Sequence, residues 1–194
     1  MRACLAVFVM LFFPAVGAGQ DVGVDVSGAA GFAQSLHGDL DFGDVAVSGT
    51  ARARVSRHVA FEAQFGYWQH GTRQTFLTNA GDAVHTRLTH GFPSVTASVL
   101  AVSAGDVRVG PYGGGGVGVF YHRTRYEQSA TSQFPAVSNS NARVGVGATL
   151  VGGVDVRVSR RVKVFGEFRF DVQSFRDPGA SYTRVLGGIR LPVG

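Results

Sequence analysis

Three histidines, a serine and an aspartate occur close together in the middle of the chain and have side chains suited to hydrolysis. His70, His85 and His90 flank a predicted loop, with Asp82 and Ser94 nearby. A serine hydrolase needs a nucleophile hydrogen-bonded to a base, with an oxyanion donor beside them. The spacing selects no such set, so solvated loop histidines are the better interpretation. Metal binding by His85 and His90 is disfavoured, because residues five apart in a strand face opposite sides.

A second motif, Gly113-x-Gly115-x-x-Gly118, matches the dinucleotide-binding fingerprint. That fingerprint requires a following helix whose N-terminus holds the pyrophosphate. Here the segment 117–121 continues with the alternation of a strand. We therefore predict a protein that is not an enzyme and has no catalytic residues, no cofactor and no metal.

The charged residues with the most regular placement alternate with apolar ones. Between Lys163 and Gln173 every charged side chain occupies an odd-numbered position, whereas Phe168 and Phe170 occupy even ones. Successive strand side chains point to opposite faces of a sheet, so one face is charged and the other apolar. We predict that the charged face points into a narrow barrel, where opposite charges pair and fill the lumen. This structural network comprises Arg52, Glu62, Asp155, Arg157, Glu167, Arg169, Asp171, Arg184 and Arg190.

A repeated hexapeptide fixes the expected register of two hairpins. The segment 54–59, Arg-Val-Ser-Arg-His-Val, recurs at 157–162 as Arg-Val-Ser-Arg-Arg-Val. A three-residue turn in the first copy sets Arg52 opposite Glu62, within hydrogen-bonding reach. In the second copy it sets Arg157 opposite Lys163, a repulsion that a diagonal Asp155 could offset. We expect loss of Glu62 to destabilise the barrel and the reversed Arg52–Glu62 pair to recover much of that loss.

The beginning of the chain predicts export. Met1-Arg2 precedes an apolar run, 3–16, that is too short to span a bilayer, and small residues follow it. We predict a cleaved secretory signal over residues 1–19 and one domain over residues 20–194. The only cysteine, Cys4, lies in the signal, so the mature chain is expected to have no disulfide.

Composition narrows the fold class. The formal charge is +5, but the arginines are dispersed along alternating segments rather than clustered, so we predict no nucleic-acid partner. After Val16 no segment is apolar for the length of a transmembrane helix, so any membrane crossing must use strands.

Alternation and turn residues predict eight strands joined by connections of alternating length. The strands are expected at about 21–33, 45–56, 58–70, 86–103, 107–122, 143–158, 162–175 and 182–193. Long loops at 34–44, 71–85, 123–142 and 176–181 alternate with tight turns, as in barrels with short periplasmic turns and long external loops. The predicted fold is all-β, an eight-stranded antiparallel up-and-down transmembrane β-barrel.

Over essentially its whole mature length, the chain resembles the small outer-membrane β-barrel domain family of the OmpA/OmpX type. The resemblance rests on the signal, the strand rhythm, the glycine-rich segment 110–118 and the closing segments 165–169 and 187–191. Family members commonly finish on an aromatic residue, whereas this chain finishes Leu-Pro-Val-Gly. The resemblance implies a monomer among the lipids of the bacterial outer membrane. It also implies a structural or surface-interaction role, with surface ligands meeting loops 34–44, 71–85 and 123–142.

Two alternatives remain open. A soluble exported carrier of lipocalin type has the same alternation with its apolar face turned inward, around an apolar ligand. A barrel lipid hydrolase is the other. The direction in which the charged face points distinguishes the carrier from the membrane barrel.

Overall fold

The computed structural model describes residues 23–36, 44–77, 83–104, 107–131, 134–174 and 180–193. The predicted signal peptide, the middle of the loop 34–44 and Asp82 lie outside these ranges. The described strands are β1 (Val24–Ser35), β2 (Asp44–Arg54), β3 (Val59–Leu77), β4 (Ala83–Val102), β5 (Val109–Gln128), β6 (Val137–Arg157), β7 (Lys163–Ser174) and β8 (Ala180–Val193).

The strands form a closed ring in chain order. Each pairs antiparallel with the next, and β1 closes the ring by pairing with β8, where Val24 lies opposite Val193. The predicted eight-stranded up-and-down barrel is therefore confirmed. The described residues include no helix that is long and apolar enough to cross a membrane.

The apolar side chains of the alternating strands point away from the barrel. Val117 is 68% exposed, Val144 66% and Phe65 56%, whereas Arg169 and Arg190 are almost completely buried. Such a surface suits lipid, because the outward parity of a membrane barrel is apolar and the inward parity is polar. The lipocalin alternative is wrong, because it requires the opposite orientation.

Two hairpins extend further than the sequence predicts. β3 continues to Leu77 and β4 begins at Ala83, so most of the predicted loop 71–85 is paired strand. Likewise, β5 reaches Gln128 and β6 begins at Val137, within the predicted loop 123–142. Residues 71–77 and 137–144 are exposed throughout. The alternation disappears there because both faces of the ladder meet water, while backbone pairing continues.

The short turns at the opposite end repeat the same geometry. Val55 and Ser56 donate their N–H groups to the Val59 carbonyl at 3.1 and 3.2 Å, and Val158 and Ser159 do the same to Val162 at 3.0 and 3.1 Å. The Ser56 hydroxyl accepts from His58 N–H, and Ser159 from Arg161 N–H, both at 3.2 Å. These serines supply side-chain acceptors that compact turns favour.

One glycine of β6 makes room for a large side chain in the lumen. A Cβ atom at Gly153 would lie 2.5 Å from the Tyr112 hydroxyl, so only glycine accommodates that ring. Tyr112 of β5 can thus lie across the interior at 6% exposure. A barrel of eight strands has space for few such side chains, so small and large residues must alternate.

Candidate functional site

The centre of the lumen contains the predicted pair from the first short hairpin. Arg52 on β2 lies directly opposite Glu62 on β3, as the turn arithmetic predicts. Its Nε and Nη2 atoms donate to Glu62 Oε2 at 2.9 and 2.6 Å. Both side chains are at most 5% exposed, so the pair is a charge-assisted contact out of bulk water.

Glu62 is shared with a second arginine from the far side of the ring. Arg169 Nη2 donates to Glu62 Oε1, and Arg169 Nε donates to Glu167 Oε1 at 2.6 Å. The Tyr112 hydroxyl donates to Glu167 Oε2 at 2.8 Å, and the Arg52 guanidinium lies 4.1 Å from the centre of the Tyr112 ring. The contacts therefore cross-link β2, β3, β5 and β7 through the interior.

Towards the short turns, Asp155 joins this network to β8. Arg190 Nη1 donates to Asp155 Oδ1, and Arg52 Nη1 donates to Asp155 Oδ2 at 3.4 Å. Arg157 lies opposite Lys163, in the predicted register. Lys163 Nζ donates to Asp25 Oδ2 at 2.9 Å, so a carboxylate of β1 compensates the lysine.

Towards the long hairpins, Asp171 and Arg184 form a separate buried pair. Arg184 Nε and Nη2 lie 2.9 and 2.7 Å from Asp171 Oδ2. Arg184 lies opposite Arg169 on the neighbouring strand, and each arginine has a carboxylate of its own, Asp171 for Arg184 and Glu167 for Arg169. Eight of the nine sequence-predicted network residues take part in these ion pairs, and the ninth, Arg157, has Lys163 as its cross-strand neighbour.

A stack of aromatic rings lies above the ion pairs. Trp68 and Phe92 are parallel at 3.9 Å between ring centres, and Tyr182 is tilted against both at 4.8 and 5.1 Å. Trp68 and Phe92 are less than 8% exposed, and both point inward. The stack forms an apolar layer between the charged lumen and the long-hairpin end.

Three histidines lie beyond this stack, at the mouth of the barrel. His70 Nδ1 lies 2.9 Å from Asp44 Oδ1. His90 Nδ1 and His122 Nε2 are 3.0 Å apart, and the Thr124 hydroxyl is 3.3 Å from each of these nitrogens. The mouth therefore combines strands β2, β3, β4 and β5 in one polar cluster.

The position of His90 and His122 keeps them outside the lipid belt. The lipid belt consists of the outward-facing apolar side chains, which end at Pro93 on β4 and at Tyr121 on β5. Both histidines lie beyond these residues, towards the long hairpins. Partial burial, and then the charge of neighbouring His70, lower the pKa of His90. Partial burial, followed by the charges of His90 and Arg143, also lowers the pKa of His122. Burial and the neighbouring positive charges thus both favour the neutral form of these two imidazoles.

Among the described members of the set suited to hydrolysis, the serine is not hydrogen-bonded to a histidine. The Ser94 hydroxyl donates to the Gly66 carbonyl at 3.5 Å, inside the barrel. The His85 side chain faces outward, and its Nδ1 atom is 3.0 Å from the Thr75 hydroxyl. The His90 side chain points into the mouth of the barrel. The prediction that His85 and His90 face opposite sides is confirmed.

The outer surface of the extended hairpins is basic. Arg73 and Arg87 lie directly opposite each other on β3 and β4, and Arg123 and Arg125 follow on the adjacent β5. All four are exposed and occupy odd-numbered positions, as do the lipid-facing residues of the same strands. Glu127 compensates Arg125 at 2.6 Å. We call these four arginines the outer arginine patch.

Sequence reasoning missed Asp25, Tyr112 and the His90–His122 pair. Asp25 lies opposite Arg52 in a strand of small residues whose alternation is weak. Tyr112 is an uncharged residue in a glycine-rich segment, so charge parity does not select it. His122 meets His90 only through the β4–β5 register, which depends on a turn of ambiguous length.

The closed ring, its apolar exterior and its paired inward charges define a transmembrane β-barrel of the outer-membrane class. The outer membrane protein beta-barrel domain family matches residues 3–183, so the chain belongs to this family. It is accordingly a bacterial outer-membrane protein. No curated protein matches the sequence.

Solved structures of other bacterial barrels share the fold. A major outer membrane protein of Thermus thermophilus superposes with a TM-score of 0.62 at 10% identity, over 90% of this chain and 100% of that one. Neisserial surface protein A gives 0.52 at 14% identity, over 89% and 97% of the two chains. Ail, the attachment invasion locus protein of Yersinia pestis, solved with the heparin analogue sucrose octasulfate, gives 0.51 at 16% identity, over 88% and 97%. At these identities the likeness shows the fold alone.

Proposed function

We propose that this protein is a non-enzymatic surface-interaction barrel whose extended hairpins bind anionic saccharide groups outside the cell. The observation that carries the proposal is the outer arginine patch, Arg73, Arg87, Arg123 and Arg125, on three adjacent strands. Among the described residues one acid, Glu127, pairs with the patch, which therefore has an excess of positive charge. Arginine suits sulfate and phosphate groups because its planar fork donates two parallel hydrogen bonds.

The height of the hairpins supports this role. From Gln69 to Leu77, β3 advances eight residues beyond the belt, up to about 27 Å of strand at 3.3–3.4 Å per residue. Lipid needs no such extension, since the belt ends at Tyr67 and Tyr121. Ordered strands also hold the arginines at fixed spacing, which reduces the conformational entropy lost on binding.

We further propose that the charged lumen is a closed structural core. Arg52, Arg169 and Arg190 meet three carboxylates, Glu62, Glu167 and Asp155, so the central network is compensated without an added ion. The proposed protein acts as a monomer and neither conducts ions nor turns over lipid.

The test uses sucrose octasulfate, the compound seen with Ail, as the probe. We expect the folded protein in detergent to bind it, and binding to weaken as salt rises. Changing the four patch arginines to Gln should weaken binding at least tenfold. The matched control changes Arg57, Arg108, Arg160 and Arg161 at the opposite end to Gln, which removes the same charge. Equal loss in the control, or no loss in the patch variant, contradicts the proposal.

A further inference from the structure

The mouth of the barrel contains two imidazole nitrogens whose separation suits a metal ion. His90 Nδ1 and His122 Nε2 are 3.0 Å apart on the inward face of β4 and β5. Metal–imidazole bonds are about 2.0–2.1 Å, so two ligands at angles of about 90° to 109° have nitrogens about 2.8–3.4 Å apart. The observed separation lies within that range.

We propose that His90 and His122 form a binding site for a divalent late transition metal, with Cu²⁺ bound most tightly. Imidazole suits copper, nickel and zinc, and affinity for such ligands peaks at copper in the first-row series. Among the described residues no three His, Cys, Asp or Glu side chains converge on one point. The protein therefore supplies two nitrogens, and oxygens complete the coordination shell.

The Thr124 hydroxyl is placed to assist. It lies 3.3 Å from both nitrogens and on the strand position opposite His90. It can accept a hydrogen bond from a metal-bound water molecule. Without metal, one ring donates to the other, so one imidazole must transfer its proton to its second nitrogen before both nitrogens can bind. Both rings remain neutral in this exchange, and no net proton is released.

The walls of the site hold the rings in orientation. Phe92 is nearly parallel to His122, at 4.4 Å between ring centres and an angle of 8°, and it also stacks on the parallel Trp68. Both histidines are half-buried, so solvent ions can reach them. Preorganised rings lose little conformational freedom on binding, which favours a site built from only two side chains.

The first test is Cu²⁺ binding to the untagged, detergent-folded barrel, followed by titration calorimetry and electron paramagnetic resonance. We expect one copper per barrel with two coordinated nitrogens from imidazole in the spectrum. A spectrum without two imidazole nitrogens overturns the proposal, and this measurement needs no variant.

The second test compares His90→Asn and His122→Asn with the control His85→Asn. His85 lies on the outer face, hydrogen-bonded to Thr75, and has the same side chain outside the site. Either mouth variant should weaken copper binding at least tenfold, and the control should leave it unchanged. Unchanged binding in the mouth variants, or equal loss in the control, refutes the site. The spectrum of the unaltered protein remains decisive if a variant does not fold.

Discussion

At the scale of single residues, the central charged side chains of the lumen each contact more than one partner of opposite charge. Glu62 accepts from Arg52 on one side and from Arg169 on the other. Arg52 in turn contacts Glu62, Asp155 and, at 3.8 Å, Glu167. Each group therefore stabilises more than the pair that the hairpin register identifies, so a change at one position affects several partners.

We expect Glu62→Gln to destabilise the folded barrel by about 3–5 kcal/mol, because it leaves two buried arginines short of a carboxylate. Equilibrium unfolding in urea from lipid vesicles measures the loss. Glu127→Gln is the control, since its pair with Arg125 is exposed and should contribute at most about 1 kcal/mol. A loss at Glu62 no larger than at Glu127 would mean that water screens the lumen.

The shared contacts change what charge reversal should do. The Arg52→Glu, Glu62→Arg variant places an arginine beside Arg169 and a glutamate beside Asp155. We therefore expect little recovery, in contrast to what an isolated pair predicts. The double change Glu62→Gln, Arg169→Gln keeps the network neutral and should be less destabilised than Glu62→Gln alone. Full recovery by the reversed pair would show that the Arg169 contact is weak.

At the scale of elements, the sequence predicts the membrane-spanning part of each strand and misses what extends beyond it. Burial on one side generates the alternation that predicts β7 over Lys163–Ser174 almost to the residue. The paired residues 71–77 have water on both faces, so their polarity resembles that of a loop. Backbone pairing alone does not produce an alternating sequence where neither face of the strand contacts lipid.

The same reasoning applies to the site. The three-residue turn fixes Arg52 against Glu62 from the sequence, because the turn length sets the register. The contact between Arg169 and Glu62 joins β7 to β3 across the lumen, and ring closure alone creates it. Local spacing cannot predict such a contact.

We expect removal of residues 73–87, with an Asn-Gly turn joining Thr72 to Leu88, to leave the barrel able to fold. The paired ends Thr72 and Leu88 already face each other, and the deletion removes no residue of the lipid belt. Cold-gel mobility and protease resistance check the result. Removal of residues 126–139 between Arg125 and Ser140 is the matched truncation. Failure of both to fold would show that the extensions are required for assembly.

At the scale of the whole molecule, closure removes every strand edge from which unfolding could begin. We expect the folded protein to migrate differently on a denaturing gel before and after boiling, because detergent does not open the ring at low temperature. Identical mobility in both samples, together with complete digestion by protease, contradicts a closed barrel in solution.

The interior predicts a low conductance. The buried ion pairs, with Tyr112 among them, and beyond them the stacked rings of Trp68 and Phe92 occupy the lumen. An eight-stranded ring has little space beyond its side chains. We expect no steady channel in planar bilayers, and a double change of Trp68 and Phe92 to Ala is the variant most able to create one. A large stable conductance in the unaltered protein contradicts the closed lumen.

The β1–β8 seam also determines the timing of assembly. Val24, at the start of the first strand, pairs on one side with Ala53 of β2 and on the other with Val193, at the end of the last strand. The ring therefore cannot close before β8 is available, and until then β1 and the last strand added each have one unpaired edge. Such edges invite aggregation. Because β1 can be covered only by β8, closure of the ring is the last pairing step in forming the barrel, and it removes both exposed edges at once.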